Sequence, residues 1–139
     1  MRKPARPEPI AEYATLRENE AAQRLAASAA QLRTMEQELE QLRGHVAEYR
    51  RRALHESTDD ARVQDAREFL ARLSNAVASH EAEMQRLLDR HRLEAERWRE
   101  SHRRAQTLDK HVERTRRTTV QHRAEAAFIE HAALRASRR

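Results

Sequence analysis

Eight histidines are the residues of this chain most suited to chemistry. Imidazole is a common metal ligand, and two on one helix chelate an ion when they stand four positions apart. No two of His45, His55, His80, His91, His102, His111, His122 and His131 have that spacing. His80, His91 and His102 recur every 11 residues, which places them near one helical face. At ~1.5 Å per residue they are too far apart along the axis to share one ion. They read as seam or flank residues. There is no cysteine, so neither a thiolate site nor a disulfide framework exists. The many Glu–Arg neighbours read as solvated helix faces with i,i+4 support.

The other chemical candidate is a basic arm. Residues 101–139 hold ten Arg or Lys against four Asp or Glu, a net of +6, while the whole chain carries +5. Arg103, Arg104, Lys110, Arg114, Arg116, Arg117 and Arg123 are the cations that could grip phosphates. No aromatic residue is interleaved among them for base stacking, and Glu113 and Glu125 interrupt the run. That argues against nucleic acid as the main role and for a solvated or partner-facing basic helix, which could meet an acidic protein surface or anionic lipid.

What must position these groups follows from composition. Charged residues make up 37% and aromatics 4%, with one glycine, Gly44, and three prolines. That leaves little for a compact core or for tight turns between strands, and it suits long helices. Pro4, Pro7 and Pro9 punctuate residues 1–9, which read as a disordered tail. Residues 10–54 read as helix 1. Leu32, Met35, Leu39, Leu42, Val46, Tyr49 and Ala53 step by 3 and 4, a heptad seam. Leu16, Ala21 and Leu25 continue it upstream in a looser pattern. Residues 55–62, with Ser57, Thr58, Asp59 and Asp60, read as a turn carrying helix-capping side chains. Residues 63–136 read as helix 2, with a seam through Leu70, Leu73, Val77, His80, Met84, Leu87 and His91.

Two long heptad helices joined by a short turn fold back on each other. The expected fold is an all-α, antiparallel two-helix coiled-coil hairpin with the second helix much longer. At ~1.5 Å per residue the lengths come to about 65–70 Å and about 110 Å. Facing residue numbers then add to about 118, as an antiparallel pairing requires. Ile10 would meet Leu108, and helix 2 would overhang beyond it. A two-helix coiled coil has no interior large enough for a water-shielded catalytic cleft, so no enzyme activity, small-molecule substrate or cofactor is expected. No apolar run approaches the ~20 residues that span a bilayer, and no secretory signal is visible.

One set of residues carries a signature. Glu48-Tyr49-Arg50 closes helix 1. Phe69, Leu73, Ala76 and His80 follow as F-x3-L-x2-A-x3-H, and Trp98-Arg99-Glu100 comes after. From about Leu16 to Arg138 the chain resembles the FliJ family, soluble coiled-coil components of the bacterial flagellar type III export apparatus. The resemblance implies work with the export ATPase hexamer and its regulator, with the cytoplasmic domain of the membrane export gate, and with substrate chaperones. It also implies a cytoplasmic protein peripherally associated with the inner membrane at the flagellar base. The family's gate-contacting strip falls here on Glu38, Leu42, His45, Tyr49, Phe69, Leu73, Ala76 and His80. Glu38 stands where Gln is usual and His45 where Tyr is usual.

The hairpin geometry groups the same eight residues into rungs. Tyr49 faces Phe69, His45 faces Leu73, Leu42 faces Ala76 and Glu38 faces His80. Exposed aromatic and small side chains there would form a docking patch on a charged surface. Arg103, Arg104, Lys110, Arg114 and Arg117 are the expected contacts to the ATPase ring. The alternatives are the equivalent stalk of a virulence injectisome, of the YscO type, and a generic coiled-coil scaffold or nucleic-acid-associated protein. An intermolecular coiled coil is a further structural option.

Overall fold

The computed structural model describes residues 7–56 and 59–138. It contains two helices, α1 (Pro7–Glu56) and α2 (Asp60–Ser137), of 50 and 78 residues. No strand occurs among the described residues. The antiparallel two-helix coiled coil with a longer second helix is the fold.

Local chemistry sets the helix ends. α1 starts at Pro7, inside the stretch read as a tail; residues 1–6 lie outside the described residues. Proline in the first turn forfeits only N–H groups that have no intrahelical partner, and Glu8 beside it suits the positive end of the helix dipole. α2 starts at Asp60, three residues before the expected boundary, because Asp59 caps it. The Asp59 carboxylate accepts from the Ala61 amide at 3.3 Å, and its carbonyl accepts the Val63 amide at 3.0 Å. Ser57 and Thr58, the other expected caps, lie outside the described residues.

The chain divides into two units, residues 22–97 and the flanking stretches 1–21 with 98–139. In the first, the expected seam is present. Leu32, Met35, Leu42, Val46, Tyr49 and Ala53 are half-buried and Leu39 is 2% exposed. Val63, Ala66, Leu70, Leu73, Val77, His80, Met84, Leu87 and His91 face them at the same 3-4 spacing. Further from the turn the seam turns polar. The Ser28 hydroxyl lies 2.9 Å from His91 Nδ1, and Ser28 also donates to the Leu25 carbonyl.

Glu94 occupies the next seam position at 6% exposure. Arg97 reaches its Oε1 at 3.4 Å, but Oε2 is buried without a partner. A buried acceptor left unmade costs about 1–3 kcal/mol. Replacing it by an apolar side chain of similar size removes that penalty. Glu94→Leu is therefore expected to raise the urea midpoint of the full chain, and a fall would show that the carboxylate stabilises the fold.

In the second unit the seam is built from small side chains. Ala11, Ala14, Ala21 and Ala105 are each 6% exposed or less, with half-buried Leu108 and Val112 alongside. Leu16, read as part of the seam, is 55% exposed, and Ile10, expected against Leu108, is 47% exposed. The large side chains lie off the seam, and alanine takes the inward positions at 3-4 spacing. Glu18 and His102 form a polar layer at 2.6 Å, with the Trp98 ring stacked on His102 at 5.0 Å and 14°. Among the described residues the link between α1 and α2 furthest along α2 is Glu8–Arg116 at 3.6 Å. Pairing thus runs to about Arg116 and not to Leu108, because α1 begins earlier and packs through Ala11.

Candidate docking surfaces

The residues singled out near the turn come together in part. Tyr49 and Phe69 touch, with ring centroids 4.6 Å apart and planes tilted by 55°, a favourable aromatic geometry. Phe69 remains 39% exposed, and the Arg72 guanidinium sits 5.9 Å from its ring centroid. Leu42, His45, Tyr49, Phe69 and Leu73 line one open groove of about 370 Å³. The seam positions Leu42, Tyr49 and Leu73 aim the flanking His45 and Phe69 outward, since flank and seam alternate along each heptad.

Ala76 and His80 sit outside that groove. The His80 ring donates from Nδ1 to the Ala76 carbonyl at 2.9 Å, which ties the imidazole to its own helix. Glu38 is exposed and lines no groove with the others. Two groove residues were missed by the sequence reading, Glu48 and Arg52. They form an i,i+4 ion pair at 2.8 Å along the rim. Their positions three and seven residues beyond His45 were the signal, because those steps stay on one helical flank.

The basic residues separate into two groups. Arg103, Arg104, Lys110 and Arg114 lie beside the paired stretch, while Arg117 begins the unpaired one. Arg104 pairs with Glu100 at 3.3 Å and Arg117 with Glu113 at 2.6 Å. Arg103 donates to the Arg99 carbonyl at 3.4 Å. Lys110 and Arg114 are exposed and make no ion pair among the described residues.

Beyond Val112 every described residue is exposed. The unpaired helix nevertheless carries Val120 at 65%, Phe128 at 75%, Ile129 at 67% and Leu134 at 53%. Ala126, Ile129, Ala133 and Ala136 continue the seam; Phe128 and Leu134 point to other faces, at the 100° step of a helix. Phe128 was missed because it has no place in the heptad register.

Among the described residues no group of three or more His, Cys, Asp or Glu is placed to hold a metal ion. No described helix is long and apolar enough to cross a membrane. A family model described as the flagellar FliJ protein matches residues 4–139, nearly the whole chain. Searches of curated proteins and of solved structures give no match.

Proposed function

Since the chain belongs to the FliJ family of flagellar export coiled-coil proteins, we propose that it acts as a stalk-like adaptor between the export ATPase ring and the export gate. The observation that carries this reading is the unpaired C-terminal helix with apolar side chains on several faces. A helix of that kind suits the interior of a ring, where protein surrounds it on all sides. Arg114, Arg117 and the neighbouring cations would meet acidic ring surfaces, with Arg103, Arg104 and Lys110 flanking them. An asymmetric helix inside a hexamer favours different conformations in different subunits, and so couples hydrolysis to whatever else the chain contacts.

The Tyr49–Phe69 groove is the surface for the gate's cytoplasmic domain. Aromatic anchors at a partly exposed, preformed site carry most of the energy in typical interfaces. The ATPase regulator and substrate chaperones complete the set of partners. The site of action is the cytoplasmic face of the inner membrane at the flagellar base.

The test is a pull-down of purified export ATPase and gate domain with full chains carrying Tyr49→Ala or Phe69→Ala. Gate binding is expected to weaken by ~30-fold, the effect of losing an anchor worth about 2 kcal/mol. ATPase binding should be retained. Equal loss of both partners, or loss of neither, would reject two separate surfaces.

A further inference from the structure

A second groove, of about 410 Å³, lies between α1 and α2 on the flank opposite the Tyr49–Phe69 groove. Val46 and Val77, both half-buried seam residues, form its apolar floor. Its walls are short: Ala47, Ser74 and Ala78 are all exposed. Short side chains let a third helix approach two others closely enough to reach the seam.

The charges at the groove are unbalanced. At one end Arg43 and Glu81 neutralise each other across the helices at 2.9 Å. At the other end stands Arg50, and the α2 residue across the groove from it is Ser74, which carries no charge. Arg50 has no ion-pair partner among the described residues. The groove is therefore apolar at its floor, closed by a satisfied pair at one end and cationic at the other.

We propose that this groove docks an acidic amphipathic helix of a partner protein, with a carboxylate on Arg50 and small apolar side chains over Val46 and Val77. It is a surface separate from both the gate groove and the ring-binding helix, and its test does not depend on either. Charge complementarity selects the acidic helix over a basic one, because like charge beside Arg50 is repulsive.

The chain has no cysteine, so Ala71→Cys gives one labelling position near the groove. The probe is a 21-residue helical peptide of Glu, Ala and Leu, titrated against the fluorophore-labelled full chain; a Lys-for-Glu peptide is the control. The acidic peptide should bind one to one, and more weakly at high salt. Arg50→Glu should weaken binding about tenfold or more, Arg50→Lys should largely restore it, and Ala78→Trp should block it. Arg52→Ala, on the rim of the other groove, should leave it unchanged. Circular dichroism of each variant separates loss of the groove from loss of fold. Equal binding of both peptides, binding of neither, or indifference to Arg50→Glu in a folded chain would overturn the proposal.

Discussion

Leu39→Ala should lower the unfolding free energy by about 2–5 kcal/mol, measured as a fall in the urea midpoint. Leu39 is 2% exposed and is the largest fully buried side chain among the described residues. The other strongly buried apolar residues are alanines, which contribute little area to burial. Deleting the isobutyl group removes its transfer energy and leaves a cavity that two stiff helices close only partly. Against a total of about 5–15 kcal/mol for ordinary domains, that is a large share. Leu16→Ala is the control: at 55% exposure it should change stability by no more than about 0.5 kcal/mol. Similar losses from the two substitutions would show that the seam is misplaced.

Truncation after Arg116 should remove stimulation of the export ATPase while leaving the urea midpoint almost unchanged. Stability should persist because no described residue beyond Val112 is even half-buried, and the Glu8–Arg116 ion pair is kept in the shortened chain. Stimulation should vanish because Arg117 and the apolar side chains proposed to sit inside the ring, Val120, Phe128, Ile129 and Leu134, lie in the removed helix. Within it, Phe128→Ala is expected to weaken ring binding ~30-fold, as loss of a 2 kcal/mol anchor does. Retained stimulation by the truncated chain would place the ring contact on the paired stretch, beside Arg103, Arg104 and Lys110.

Those two experiments probe features that differ in how legible they were. The Leu39 seam could be read directly, since Leu, Met and Val recur at 3-4 spacing from Leu32 to Val46. The Tyr49–Phe69 contact followed from antiparallel pairing about a turn near Asp59. Glu48 and Arg52 share the flank of His45, but that spacing alone did not mark them as groove residues, because an i,i+4 ion pair looks the same on any solvated face. Phe128 was not legible either, since a lone aromatic outside the register announces no partner.

Sequence alone determined that this chain forms two heptad helices that fold back on each other, and that Tyr49 meets Phe69. A 3.5-residue period marks one stripe on each helix, and a short connection leaves those stripes one obvious partner. It could not say how far pairing extends or which side chains fill a weak seam. Only the packed structure decided that Ala11 and Ala14 go inside while Ile10 and Leu16 stay out. It alone buried Glu94 with an unpartnered oxygen and carried pairing on to Arg116. The physical reason is that periodicity names a face, whereas the register and spacing of two faces are set by side-chain volume on both helices at once.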